Sequence, residues 1–396
     1  MVPNGWKKGL LDEGIELISG QHVEANCVNN LGVGIPYLTG PADFPNGKIV
    51  VTKFTNEGKK FSKKGDLLIT VKGSGTGKVI ESDNEYAISR QLMAIRPKTF
   101  DSKFVYYNLV SSLGRYEDAA AGLIPGISRE DVLNTPLLIP QIDEQKAIAH
   151  ILSTWDQALS ATEKLLEKSQ QQKKALMQQL LTGKKRLLDE NGVRFSDEWQ
   201  IGYLEDLCKL KGGSAFKEEY QGFKDGDIPF IKVSDMNLEG NEKYIIKSNN
   251  WIKTDISKII KAVSFPVNSI VFAKVGAALL LNRRRILTRP TIIDNNMMAA
   301  IPNQLALSEF LYQLLLCIDF AKLVQDGAVP SVNQTDIGRV KIKYPLLKEQ
   351  RAITKVLILA DQEIDLLKQK LDCLKQEKKA LMQQLLTGKK RVKVAA

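Results

Sequence analysis

Two stretches of the chain mark out one face at alternating spacings of four and three. The first runs through Ile148, Leu152, Trp155, Leu159, Thr162, Leu166, Ser169, Lys173, Leu176 and Leu180. The second runs through Ile353, Leu357, Ala360, Ile364, Leu367, Leu371, Leu374, Lys378, Leu381 and Leu385. Seven of the first ten and nine of the second ten are apolar, a sustained heptad seam that predicts two long coiled-coil helices. Asp143, just after Pro140, is placed to cap the first helix. Gly183 and Gly388, each followed by three basic residues, mark the C-terminal ends. About 35 residues rising ~1.5 Å each make a rod of roughly 50 Å. Such a seam needs a partner. The other copy supplies one if the two helices pair antiparallel within the chain; a second chain is the alternative.

The two stretches are copies. Residues 173–186, KKALMQQLLTGKKR, recur unchanged as residues 378–391, 205 positions further on. At the same offset EQKAI (144–148) meets EQRAI (349–353), and Pro140, Asp131, Pro125 and Gly122 meet Pro345, Asp336, Pro330 and Gly327. Further upstream the likeness is weaker and the offset falls to 193. There Trp6, Gly9 and Leu11 correspond to Trp199, Gly202 and Leu204, and the run Ile35, Pro36, Tyr37, Leu38 to Ile228, Pro229, Phe230, Ile231. The chain is thus two copies of one module, each with a divergent front half and a nearly constant back half.

The front halves alternate as short strands. β-rich runs at 48–53, 66–71 and 269–274 lie between Gly, Pro and Asn turns. One helix is expected in each front half, at 102–114 and 308–324. Each half closes on a capped short helix, Ser128 with Asp131 and Asn333 with Asp336. Residues 187–200 form a polar linker.

Composition narrows the function. The chain has 396 residues, 43% hydrophobic and 26% charged, which is a globular balance with room for several domains. The longest apolar runs are far shorter than the ~20 residues a membrane span needs. The N-terminal residues carry no apolar signal core, so the cytoplasm is the expected compartment. Four scattered cysteines and two histidines, His22 and His150, supply neither a disulfide framework nor a zinc site. The formal net charge is +11, which suggests a polyanionic partner.

Catalytic motifs are missing. Residues 73–78, GSGTGK, imitate a phosphate-binding loop but carry Lys72 where the first glycine belongs and Val79 where Ser or Thr belongs, so a Gly-rich hairpin is expected. No Asn/Asp-Pro-Pro-aromatic tetrad of an amino-methyltransferase appears. Glu144-Gln145-Lys146 resembles the tail of a nuclease motif, yet at a helix start it reads as surface charge. Cations remain. Lys48, Lys53, Lys59, Lys60, Lys63, Lys64, Lys72 and Lys78 face only Glu57 and Asp66, and Lys274, Arg283, Arg284, Arg285 and Arg289 face no acid at all. Arginine's planar fork matches phosphate or a guanine edge. Asn295, Asn296, Ser234 and Asp235 are nearby polar candidates.

Two divergent domains alternating with two near-identical helices, a proline leading into EQ[KR]AI, the ending LLTGKKR, and FAKVGAALLLNRRRI at 272–286 resemble the DNA specificity subunit of type I restriction–modification systems. The resemblance spans essentially the whole chain. It implies an α+β fold: two α/β target recognition domains, residues 1–140 and 188–343, separated by two long antiparallel coiled-coil helices, 141–187 and 344–396, in a pseudo-twofold repeat. Each domain would read half of an asymmetric, bipartite site on double-stranded DNA. Two methyltransferase subunits would dock on the helices, and restriction/translocase subunits would join the full complex. S-adenosylmethionine, ATP and Mg belong to those partners; none is expected on this chain, which would carry no catalytic residue and no metal. The residues assigned to DNA are Lys72, Ser74, Thr76, Lys78, Arg90, Ser128, Lys232, Ser234, Lys274, Arg283, Arg284, Arg285 and Asn333. Gln178, Gln179 and Lys184 are identical to Gln383, Gln384 and Lys389 yet lie off the seam, which helix pairing does not require; they are assigned to the partner subunits. A self-contained methyltransferase or nuclease, and a coiled-coil adaptor without a DNA role, are the competing readings.

Overall fold

A computed structural model of the protein describes residues 2–73, 75–121, 126–324 and 329–393; Ser74, Gly122, Pro125 and Gly327 lie outside them. The chain divides into two units, residues 1–164 with 368–396, and residues 165–367. Each holds one front half together with parts of both long helices, Ile142–Leu180 and Leu347–Leu386.

In the first unit, Lys7–Leu10 pairs antiparallel with Pro136–Ile139. A four-stranded antiparallel sheet follows in the order Ile15–Ser19, Leu92–Pro97, Leu67–Thr70, Val79–Glu81. A second sheet is organised around the parallel pair Ile35–Leu38 and Tyr86–Ile88. Alternation builds the first of these, since Leu67, Ile69 and Ile95 bury one face against Val105 and Leu109 of the helix Ser102–Ser111.

In the second unit, Gln200–Tyr203 pairs with Lys341–Tyr344. Cys208–Gly212, Met297–Pro302, Ile270–Ala273 and Arg285–Leu287 are neighbours in sheet order, and Ile228–Ile231 runs parallel to Thr291–Ile293. Its core sets Ile270, Phe272, Met298 and Ala300 against Phe310, Leu311, Leu314 and Leu315 of the helix Ser308–Cys317. The registers repeat between units: Met93↔Ser19 answers Met298↔Gly212, and Leu38↔Ile88 answers Ile231↔Ile293. Both the 193 and the 205 offset are therefore structural, and the extra residues of the second copy fall between matched strands.

All twenty seam positions are buried or half-buried. Inside the first unit Glu144 meets Arg391, Asp156 meets Lys378 and Glu163 meets Lys375, so the segments run antiparallel. Inside the second, Ser169 meets Glu363, Lys173 meets Asp361 and Arg186 meets Glu349. The seam lysines, odd in an apolar stripe, thus face Asp156 and Asp361. These acids also accept hydrogen bonds from the front halves, Asp156 from Tyr107 Oη at 2.7 Å and Asp361 from Gln313 Nε2 at 3.1 Å. A charged pair inside a seam fixes register.

Four expectations are corrected. The helix expected at 308–324 ends at Cys317, where Ile318 turns extended, and a separate 3-10 turn, Phe320–Leu323, follows. Residues 48–53 form no strand: Pro45 and Gly47 wind a 3-10 turn, and the ladder begins at Phe54. Asp143 lies inside the first helical turn, beside Lys146, because the helix already starts at Ile142. Glu144 and Gln145 are not surface charge. Glu144 takes Arg391 Nε at 2.8 Å, Arg391 Nη2 at 2.9 Å and Trp6 Nε1 at 2.9 Å, and Glu349 takes Arg186 Nε at 2.6 Å, Arg186 Nη2 at 2.7 Å and Trp199 Nε1 at 3.0 Å. Gln145 accepts from the Asp101 N–H and donates to the Pro140 carbonyl, and Gln350 accepts from the Leu307 N–H and donates to the Leu305 and Pro345 carbonyls. Each EQ pair is therefore a joint. Its Glu clasps the other copy's arginine and its own tryptophan, and its Gln ties the front half to the helix start.

Candidate nucleic-acid interface

Each front half gathers its candidates at one corner, where strand ends, a hairpin tip and a capped helix start meet. In the first unit the hairpin of Leu67–Thr70 and Val79–Glu81 turns through residues 71–78, as expected of a Gly-rich hairpin. Gly73, Gly75 and Gly77 have φ of +87°, +106° and +86°, which side-chain-bearing residues rarely adopt. Thr76 is half-buried and donates to the Gly73 carbonyl, while Lys72 and Lys78 bound the tip and are exposed. At the base, the Val71 N–H donates to Gln91 and the Val71 carbonyl accepts from Ile127. This brings the tip beside exposed Arg90, in the turn closed by the Leu92 to Ser89 bond, and beside Ser128. Ser128 and Asp131 form the expected capping box, and the two Ser128 donors hold the Asp131 carboxyl below the usual range. Ser74 belongs to this tip in sequence and lies outside the described residues.

The second unit builds the same corner from different side chains. The Lys274 N–H donates to Asn296 and its carbonyl accepts from Val332, the bonds that Val71 makes in the first unit. Asn333 caps the helix Gln334–Gly338 through Asp336. Lys232 is half-buried and donates to Gln221 Oε1 at 2.9 Å, and Ser234 is exposed on the 3-10 helix Val233–Asn237. Asp235 is wholly buried, spent on the Lys232 and Asn249 N–H groups. Asp294, in the turn holding Asn295 and Asn296, has its carboxyl pushed up by burial, against the opposing Asn296 N–H and Lys232.

The arginine triplet does not act as one patch. Arg283 is exposed and donates to Asn237 Oδ1. Arg285 is half-buried and donates to the Met236 carbonyl at 2.9 Å. Arg284 is 1% exposed, its guanidinium carbon 3.8 Å from the Phe320 ring centroid. Its fork is satisfied by Asn282 Oδ1 and the Arg283 and Ile318 carbonyls, with Nε left unpartnered. Burial outweighs the opposing pull of Asp319 and Tyr312 and pushes its pKa down to about 9. Arg284, assigned to DNA on sequence, therefore lies beneath the tip with its guanidinium buried, out of reach of a DNA surface.

Gln178, Gln179, Lys184, Gln383, Gln384 and Lys389 are all exposed, off the seam and near the helix ends. Among the described residues there is no cluster of His, Cys, Asp and Glu suited to a metal, and no helix is long and apolar enough to cross a membrane.

Each unit thus carries a tip bounded by cations, held in the same register and built from different side chains. The type I restriction modification DNA specificity domain matches the chain twice, over residues 3–170 and 196–376. The chain belongs to this family. Among its relatives, the type I restriction enzyme MjaVIII specificity subunit of Methanocaldococcus jannaschii is 23% identical over 411 aligned residues, covering 99% of this chain and 94% of that one. A putative type I specificity subunit of Mycoplasma pneumoniae is 26% identical over 57% of this chain and 59% of its own length. The fold is that of the type I system S subunit from M. genitalium, with a TM-score of 0.59, 21% identity and 98% of each chain covered. A structure described as showing complex assembly and conformational transition of the type I system aligns with a TM-score of 0.64, 16% identity and the same coverage. This specificity chain carries its two family domains in the two front halves and most of the long helix that follows each. Sequence reading missed Gln91 and the Trp–Glu–Arg joints. The joints had a signal, since the constant segments include both the EQ pair and the terminal arginine.

Proposed function

We propose that this chain is the non-catalytic specificity subunit of a type I restriction–modification complex, with each domain reading one half of an asymmetric bipartite site. The supporting observation is the pair of equivalent corners: the same register frames a Lys- and Gly-built tip in one unit and a Leu- and Arg-built tip in the other. Lys72, Ser74, Thr76, Lys78, Arg90 and Ser128 serve the first half-site, and Lys232, Ser234, Lys274, Arg283, Arg285 and Asn333 the second. The paired helices set the unread gap. Helices of 39 and 40 residues rise about 60 Å, enough to span readers ~34 Å apart, one DNA turn. Two methyltransferase subunits dock on the repeated Gln and Lys surface and supply S-adenosylmethionine chemistry. Restriction/translocase subunits add ATP- and Mg-dependent steps.

The test is methylation mapping in cells carrying this chain with its methyltransferase partner. A bipartite motif with two unlike halves is expected. Four residues inserted after Gln170 lengthen the helix by about 6 Å and turn one end by about a full turn, so the gap shifts or methylation is lost. An unchanged motif in the insertion variant refutes the ruler. Methyl transfer by the purified chain alone refutes the non-catalytic assignment, and binding that ignores salt refutes phosphate contact.

A further inference from the structure

The tip of the second unit carries a feature with no counterpart in the first. Leu280 and Leu281 are 49% and 57% exposed at the end of the short helix Ala277–Leu280. They are not loose ends of a flexible loop. Leu279 beside them is fully buried in the cluster that holds Phe320 and Val332. Asn282, at φ +54°, donates to the Ile318 carbonyl and accepts from the Phe320 N–H. Arg284 lies beneath, stacked on Phe320. Three anchors thus hold the turn from the inside while two leucines point out. The turn thus holds two adjacent apolar side chains in solvent, where they can contact a partner.

Charge says what the partner is. From Lys274 to Arg289 there are five cations and no acid, and the hairpin ladder Ile270↔Ile286, Val271↔Arg285 runs toward Lys274 on one strand and Arg283 on the other. The leucines therefore sit between cations on a corner equivalent to the lysine-bounded tip of the first unit. On the major-groove edges of B-DNA the apolar group is the thymine 5-methyl. We propose that Leu280 and Leu281 read thymine methyl groups in the major groove, with Arg283 beside them on a phosphate or guanine. This rests on the DNA-reading assignment above. The sequence of the first tip, residues 72–78, holds only Lys, Gly, Ser and Thr, so the hydrocarbon readout belongs to one half-site.

The experiment uses the full chain with its methyltransferase partner and duplexes of the mapped site. Each thymidine is replaced in turn by deoxyuridine, which removes the methyl and keeps the pairing. Binding is expected to weaken about fourfold per methyl group contacted, at one or more positions confined to one half-site, the effect of unburying one hydrocarbon group. The Leu280→Ala/Leu281→Ala variant, whose melting temperature checks its fold, is expected to lose that sensitivity and no other. Neutral substitution at every thymine in the wild-type complex overturns the proposal without needing any variant. So does a leucine variant that keeps the full uracil sensitivity. Failure of the wild-type complex to prefer its unmodified site is a different outcome; it brings down the DNA-reading assignment itself and this proposal with it.

Discussion

The joint at Glu349 allows a quantitative test of how the front half is fastened. Glu349 is 2% exposed, and its carboxylate takes Nε and Nη2 of Arg186 and the indole N–H of Trp199. Arg186 keeps 20% of its side chain in water and donates also to the Asp197 carbonyl at 2.8 Å. Removing one partner of a buried pair typically costs ~3–5 kcal/mol. The partial exposure of Arg186 sets the expected loss at the lower end, about 3 kcal/mol for Glu349→Ala. In a body of roughly 200 residues each kcal/mol moves the midpoint by ~2–4 °C, so a fall of about 6–12 °C is expected by calorimetry. Arg186→Ala should cost a similar amount. The double variant should cost about 4 kcal/mol instead of the additive sum, a coupling energy of about 2 kcal/mol. Additive single effects, or singles below about 1 kcal/mol, refute the joint as a fastening. The midpoint should also stay constant over a hundredfold range of protein concentration; a rise with concentration indicates that a second chain supplies the pairing.

Burial alone would raise the Glu144 carboxyl, but Arg391 and Trp6 outweigh it and hold the group below its usual 4.5. A lowered folded value means stability present above about pH 4.5 and lost as pH falls through the folded value. The melting difference between wild type and Glu144→Gln should therefore be largest near pH 7 and shrink in acid; a gap that stays constant down to pH 3 contradicts this. Arg284→Ala should lower stability by about 2–4 kcal/mol through the lost stack and the cavity over Phe320, whereas Arg283→Ala should leave melting unchanged and reduce the salt slope of DNA binding by about one. Equal effects of the two arginines on melting would show that their placements are wrongly distinguished. Gln178→Ala combined with Gln383→Ala should weaken capture of the methyltransferase subunit at least tenfold with melting unaltered, and undiminished capture removes that surface from the docking site.

Periodicity and exact repetition made the long helices, the seam and both capped short helices legible, because each depends on residues near in sequence. The hairpin at 73–78 was legible for the same reason. What escaped was decided by residues far away. Glu144 reads as surface charge until Arg391, 247 positions distant, closes over it. The arginine triplet hides an alternation: three identical letters approach a strand whose side chains point to opposite faces, so Arg284 turns into the core while Arg283 faces out. Residues 48–53 have strand-like composition, but neighbouring Pro45 and Gly47 spend the local backbone on turns.

In one unit Trp199 and Arg186 are joined by the chain that runs between them. In the other, Trp6 and Arg391 make the same contacts with no such chain, and Arg391 Nη1 reaches the Asn4 carbonyl at 2.7 Å. The covalent bridge is thus dispensable to the joint. A polypeptide severed between Leu187 and Glu198 would leave two fragments, each interleaved with the other in both compact bodies, and co-expressed halves should reassemble into the intact particle.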